Sequence, residues 1–306
     1  MPPAPKLGNE PVKVIRKTLF ENGSLQIGWV DTHPLSDVCG DVERQSLNVV
    51  VLPLSGLFSK HDAPGRHVIG TPSHAVFIAS DTPYRIGFPG GIGDRALVLR
   101  FDESLAPDRL DGRASVDALA SSGLLASSAI VLRDLLRLRL QEPERDGFEI
   151  EALALDLLSM SLRAMRTADA PRRRAAIALR KRAVERVKEA VALAPAEKWS
   201  VARLAGIANL SPFHLCRVFR KTVGTSLYSY VLQERLARSL ESVLDGGDDL
   251  TPIALDAGFS SHSHFTARFR GFFGCTPAAL RRAIGTERVA ELSKIMTAQR
   301  GRPALT

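Results

Sequence analysis

Apolar and polar residues alternate along Ser24-Leu25-Gln26-Ile27-Gly28-Trp29-Val30, the pattern of a strand with one buried face. Leu47 to Leu54 is a denser β-branched run, and Phe77-Ile78-Ala79 and Ala96-Leu97-Val98-Leu99 are shorter ones. Gly and Pro punctuate the text between them, at Asp62-Ala63-Pro64-Gly65, Gly70-Thr71-Pro72 and Phe88-Pro89-Gly90-Gly91-Ile92-Gly93-Asp94. Short strands from about Leu19 to Phe101, with no helical pattern between them, predict an antiparallel sandwich or barrel.

After Phe101 the period lengthens. Ser121 to Leu140 carries Leu132, Leu135, Leu136 and Leu138 at helical spacing, and Phe148 to Met165 carries Ile150, Leu153, Leu157, Leu158 and Leu162. Gln141 to Gly147 separates the two runs, so a helical hairpin is predicted, either covering the barrel or pairing with a second subunit. The polar stretch Thr167-Ala168-Asp169-Ala170-Pro171-Arg172-Arg173-Arg174 ends that pattern, and beyond it the chain reads as helical with no strand signal. The expected division is a disordered lead over 1–17, a β-barrel over 18–112, a helical hairpin over 113–166, with dimerisation as one of its two open roles, and a linker over 167–179. An all-α domain over 180–284 and a tail over 285–306 complete it. The fold class is α+β with two domains.

Charge adds to this picture once it is divided. The chain has 306 residues and a net charge of +8. Residues 1–170 hold 18 basic and 22 acidic side chains, whereas 171–306 hold 23 basic and 11 acidic ones. A basic C-terminal half on a mildly acidic N-terminal one points to a polyanionic partner for the former alone. No apolar run is long enough to span a membrane, and Met1-Pro2-Pro3-Ala4-Pro5-Lys6 lacks the apolar core of a signal peptide. Three widely spaced cysteines, Cys39, Cys216 and Cys275, suit a reducing compartment, and a cytoplasmic location is expected.

The strongest signal is an internal repeat. Val201-Ala202-Arg203-Leu204-Ala205-Gly206-Ile207-Ala208-Asn209-Leu210-Ser211 leads into Pro212 to Lys221 and Gly224. About 49 residues on, Thr251-Pro252-Ile253-Ala254-Leu255-Asp256-Ala257-Gly258-Phe259-Ser260-Ser261 leads into His262 to Arg270 and Gly274, with one extra residue near the turn. Each copy reads as a helix-turn-helix. Small residues (Ala205, Ala208; Ala254, Ala257) let two helices cross closely, and Gly258 suits a positive φ at a helix end. Ser211 and Ser260 are expected N-caps, with Pro212 at the first helical position. The second helix of each copy has an apolar stripe, Leu215, Val218 and Phe219 in one and Phe265, Phe269 and Phe272 in the other. Its opposite face presents Phe213, Cys216, Arg217, Arg220 and Lys221, or His262, Ser263, Thr266, Ala267 and Arg270. Ser226 to Leu240 is an amphipathic helix that would hold the copies apart. Two such helices about 34 Å apart would enter successive major-groove segments of duplex DNA.

Residues from about Arg180 to Arg282 resemble the DNA-binding domain of the AraC/XylS family of bacterial regulators. The resemblance is carried by Ile253-Ala254 through Gly258-Phe259-Ser260-Ser261, Phe265, Phe269-Arg270 and Gly274-Cys275-Thr276-Pro277. More loosely, the first two-thirds resemble that family's cupin-like ligand-sensing barrel, over 18–112, and dimerisation helices. The resemblance implies a transcription regulator, activator in preference to repressor, that binds double-stranded DNA, a small-molecule effector and RNA polymerase and forms a homodimer. It implies base contacts from Phe213, Cys216 and Arg217, with His262, Ser263 and Thr266 as readers in the second copy. Arg220, Lys221 and Arg270 are expected on phosphates, fixing register without reading sequence. Phe213 either touches a thymine methyl or packs on the preceding helix. Ala267 stands where some relatives carry arginine, which puts the second copy's base reading in doubt. His214 and His264 are expected to brace the motif or touch backbone and not to bind metal.

The barrel's effector residues are not legible, although polar residues near strand ends, with Trp29, are candidates for a pocket lining. His33, His61, His67 and His74 show no His-x-His with a spaced Glu, so neither metal nor cofactor is expected and enzymatic activity is not. Two rivals stand beside the regulator: a cupin-type metalloenzyme with a DNA-binding appendage, and a regulator whose barrel only dimerises.

Overall fold

The computed structural model describes residues 12–37, 39–63, 66–102, 105, 119–166, 174–246 and 249–285. Among these residues nine strands form two antiparallel sheets. One has six strands in the order β1-β2-β8-β3-β6-β9, and the other has three, β5-β4-β7. The strands are β1 (Val12–Glu21), β2 (Leu25–Pro34), β3 (Asn48–Gly56), β4 (Phe58–Ala63), β5 (Arg66–Gly70), β6 (His74–Ile78), β7 (Arg85–Gly87), β8 (Asp94–Phe101) and β9 (Ser122–Leu124). The expected closed barrel is therefore replaced by two stacked sheets. Val12, Val51 and Val76 of the larger sheet meet Phe58, Val68 and Ile86 of the smaller one.

Two-sided burial explains the dense run at Leu47–Leu54. In β3 the side chains of Val50, Leu52 and Leu54 enter the main core, while Val49 and Val51 face the smaller sheet. Pro53 is tolerated inside this strand because β6 pairs only with Val49–Val51 and the register against β8 shifts between Pro53 and Ser55.

The outer face of the six-stranded sheet is covered by α1 (Ser127–Arg139) and α2 (Gly147–Ala164). Of the two roles held open for the hairpin, covering the sheet is the one observed. Two boundaries move. Ser122–Leu124 is a strand, not helix, because it pairs with β6, so the sheet extends past residue 112. The first strand begins at Val12, inside the expected lead over 1–17, because β1 pairs with β2 from Val12↔Pro34 onward.

The C-terminal half is helical: α3 (Arg174–Leu193), α4 (Val201–Ala208), α5 (Pro212–Val223), α6 (Leu227–Asp245), α7 (Thr251–Asp256), α8 (His262–Phe273) and α9 (Pro277–Gly285). The first of these starts within the expected linker, and its Ala183, Val184, Val187 and Val191 share a core with α4 and α5. Residues 167–173 of that linker, and the tail beyond 285, lie outside the described residues.

The helical half docks on the sheets through both apolar and polar contacts. Leu236, Leu240, Phe265 and Phe269 belong to the same core as the sheet and hairpin, so α1 is covered on two sides. This accounts for Arg133 and Asp134 being fully buried in a helix that sequence pattern would leave half in water. The Arg133 guanidinium donates to the carbonyls of Pro53 and Pro72 and to Asp134 Oδ2 at 2.6 Å, which satisfies the buried charge. Thr71 Oγ1 donates to buried Glu234 of α6 at 2.8 Å, and the Ile69 amide donates to Glu185 of α3 at 2.8 Å. Lys188 in turn donates to Glu185 at 2.9 Å.

Candidate nucleic-acid interface

Each repeat folds into two short helices crossing at a tight turn. In the first, Ser200 Oγ caps α4 by accepting from the Arg203 amide at 3.2 Å. Asn209 ends that helix in the left-handed region at φ 54°, a conformation asparagine tolerates better than most side chains. Ser211 Oγ then accepts from the His214 amide at 3.3 Å, Pro212 opens α5, and Gly224 closes it at φ 85°.

In the second repeat Gly258 has φ 80°, as expected. A Cβ there would lie 2.6 Å from Ala196 Cα, so the glycine also lets this turn abut the loop that follows α3. The N-cap is Ser261, not Ser260: Ser261 Oγ accepts from the His264 amide at 3.2 Å, while Ser260 Oγ meets His264 Nδ1. The extra residue of this repeat therefore precedes its cap. With a constant offset of 50 from the caps onward, Leu215, Phe219 and Val223 correspond to Phe265, Phe269 and Phe273. Phe273, fully buried, completes the apolar stripe in place of the expected Phe272, which is half-buried. The same offset sets Arg217 opposite Ala267 and Arg220 opposite Arg270.

The opposite faces of α5 and α8 are open. Cys216, Arg217, Arg220 and Lys221 are exposed, as are His262, Ser263, Ala267 and Arg270, and Thr266 is half-buried. Phe213 is 80% exposed, so it does not pack on the preceding helix. An aromatic ring left in water at the start of a capped helix is available to an apolar partner. Arg217, Arg220, Lys221 and Arg270 form no ion pair among the described residues, so their charge is free for an external anion. Thr266 Oγ1 and His262 Nε2 lie 3.2 Å apart and hold each other on the surface of α8. His264 braces the motif, as expected: its ring stands edge-on to Phe259 at 5.5 Å, and it accepts from Arg268 Nε at 3.4 Å.

One residue that pattern reading passed over joins the two repeats. Arg235 of α6 donates through Nε to the Pro195 carbonyl at 2.8 Å, through Nη1 to that of Gly258 at 3.0 Å and through Nη2 to that of Glu197 at 2.9 Å. A single planar guanidinium thus ties the loop ahead of the first repeat to the turn of the second. In sequence it is one of two arginines on an amphipathic helix, with no distinguishing signal.

The cores of the repeats are separate. Leu204, Leu215, Val218 and Phe219 pack with Tyr230 and α3. Phe265, Phe269 and Phe273 pack with Leu236, Leu240 and the hairpin.

Comparison with known proteins bears on this half. A profile described as a helix-turn-helix domain matches residues 204–283. The HTH-type transcriptional regulator GlxA of Rhizobium meliloti is 36% identical over 92 residues, 30% of this chain and 28% of that protein. The probable transcription factor PqrA of Proteus vulgaris is 36% identical over 78 residues, 26% of this chain and 64% of that protein. A solved transcriptional regulator of Chromobacterium violaceum with an AraC-type DNA-binding domain is 30% identical, covering 33% of this chain and 94% of its own, with a TM-score of 0.30. The chain spans less than a third of the length of the first curated relatives it matches. Residues 204–283 are a helix-turn-helix domain of the AraC type, and through that domain the chain belongs to the AraC/XylS family.

Proposed function

We propose that the protein is a cytoplasmic, sequence-specific DNA-binding transcription regulator, activator in preference to repressor, whose sheet-and-hairpin half (residues 12–166) senses a small molecule. The DNA-binding half is 174–285. The observation that carries this reading is the pair of capped helices, α5 and α8, each burying one stripe and leaving a polar, cation-bearing face in water. Arg217 reads a guanine through its O6 and N7, Phe213 meets a thymine methyl, and Cys216, His262, Ser263 and Thr266 touch neighbouring base edges. Arg220, Lys221 and Arg270 neutralise phosphates and fix the register. Ala267, at the position equivalent to Arg217, leaves the second helix the weaker reader.

The docking of the helical half on α1 and on the β5–β6 segment supplies a route from the sheets to the DNA face, because α6 takes part in both. A homodimer and contact with RNA polymerase belong to the same proposal, on family grounds. No enzymatic activity is assigned. Among the described residues no helix is long and apolar enough to cross a membrane.

Selection of bound sites from random duplex DNA with the full chain tests the reading. A recovered motif with two half-elements about one helical turn apart is the expected result. Binding with no sequence preference would overturn it.

A further inference from the structure

We propose that the cleft formed by β1, β2 and β8 binds a small organic carboxylate, gripped between the guanidinium groups of Arg100 and Arg16. This rests on the sensing role proposed above and names the chemical class of what is sensed.

Gln26 of β2 lies directly opposite Arg100 of β8, and Thr18 of β1 directly opposite Gly28 of β2. Because side chains alternate across a strand, Arg16, Thr18, Gln26, Gly28 and Arg100 share one face of three adjacent strands. A Cβ on Gly28 would stand 2.8 Å from Arg100 Nη1, so the guanidinium lies across the glycine, toward β1. Here the missing side chain makes a cradle.

The charges in this cradle are unbalanced. Arg100 is half-buried, and the partner it has among the described residues is neutral: Nη1 donates to Gln26 Oε1 at 3.2 Å. Arg16 pairs with Glu43 Oε2 at 4.0 Å, and that carboxylate also accepts from Tyr84 Oη at 3.0 Å. Burial, and then the positive charge of Arg16, push the Arg100 guanidinium below its ordinary pKa. Desolvation and like charge together mark a place where an anion would lower the free energy.

A cavity of about 160 Å³ opens at this point, lined by Arg16, Lys17, Thr18, Gln26, Trp29 and Arg100. Arg16, Arg100, Thr18 and Gln26 present their side chains on the cradle's face, Lys17 and Trp29 border it from alternate positions of β1 and β2, and no carboxylate lines it among the described residues. The cavity has room for several waters, enough to seat the carboxylate end of a small acid. A carboxylate matches the planar fork of arginine, with a second cation in reach. Next to Gly28 on β2, Trp29 turns its side chain to the opposite face and packs against the main core, so a ligand that shifts β2 would be felt on the face that carries the hairpin and α6.

Thermal unfolding of the full chain tests the proposal against sodium salts of straight-chain monocarboxylates (acetate to hexanoate) and dicarboxylates (malonate to adipate) at fixed ionic strength. The corresponding amides, inorganic phosphate and a panel of neutral metabolites serve as comparisons. At least one acid is expected to raise the melting temperature while its amide does not. Arg100→Gln and Arg16→Gln should weaken its binding about tenfold to a hundredfold, the worth of a charge-assisted hydrogen bond. Gly28→Ala, which displaces the Arg100 guanidinium without removing it, should weaken binding too, with ligand-free melting and the DNA gel shift as folding checks. No stabilisation by any acid, an amide as effective as its acid, phosphate as effective as the acids, or unchanged affinity in Arg100→Gln would each overturn the proposal. A neutral metabolite that stabilises wild type and Arg100→Gln equally, with no acid doing so, overturns the carboxylate site yet leaves the sensing role standing.

Discussion

Phe269→Ala probes the division of the helix-turn-helix repeats into two packing units. Phe269 is fully buried, its ring centroid 5.5 Å from that of Phe265 and 4.5 Å from that of Phe273. Its surroundings include Leu236, Leu240 and Leu280 and extend to the hairpin. Removing such a ring costs about 3–5 kcal/mol. At about 1.4 kcal/mol per decade, this is roughly two to three and a half decades in the local opening equilibrium. Amide hydrogen exchange on the full chain reads that change segment by segment, where a single melting temperature would average over units that open separately. Helices α7, α8 and α9 should lose protection on that scale, and α1 and the C-terminal part of α6 to a lesser degree. In contrast, α4 and α5, cored by Leu204, Leu215 and Phe219, should keep theirs. Equal losses in α4 and α5, or an unchanged α1, would refute both the separation of the two cores and the continuity of the second with the sheets.

Arg217→Ala should cost about 1–3 kcal/mol on the selected site and relax preference at one base pair, as read by competition gel shifts; an unaltered preference removes Arg217 from the base readers. Lys221→Ala should weaken binding on all sequences and reduce the slope of log affinity against log salt by about one, and a sequence-restricted loss contradicts a phosphate role. Asp94→Asn concerns pH: burial raises the Asp94 pKa from 3.8 to about 6, against the opposing hydrogen bond from Thr32. The folded state therefore binds this proton more tightly than the unfolded one, and its stabilisation is full below about 3.8 and lost as pH climbs to about 6. The difference in urea-unfolding free energy between wild type and variant should fall by roughly 3 kcal/mol across that window; parallel curves would show that the carboxyl titrates normally.

Much of the interface could be read from the chain because its determinants are local. Ser211 and Pro212, the stripe Leu215, Val218 and Phe219, and the positive φ of Gly258 follow from capping and helical period alone. The misses lie where neighbours in space choose between equals. Phe272 and Phe273 sit three and four residues after Phe269, and either satisfies the period, but Phe273 is the one the folded core buries fully. Ser260 and Ser261 are both competent caps, and the position of an inserted residue decided between them.

What the sequence by itself determined is the repeat, its caps and stripes, the basic balance of the C-terminal half and the strand-then-helix order, all set by contacts within a few residues. Only the tertiary structure decided that the strands form two stacked sheets, that Ser122–Leu124 joins one of them, and that Arg133 and Asp134 are buried in α1. It also brought Arg16 and Arg100 together across Gly28 and placed Glu234 on Thr71. The physical reason is distance along the chain. These outcomes depend on pairings between segments tens to more than a hundred residues apart, and a side chain's burial there depends on what docks over it rather than on the period of its own helix or strand.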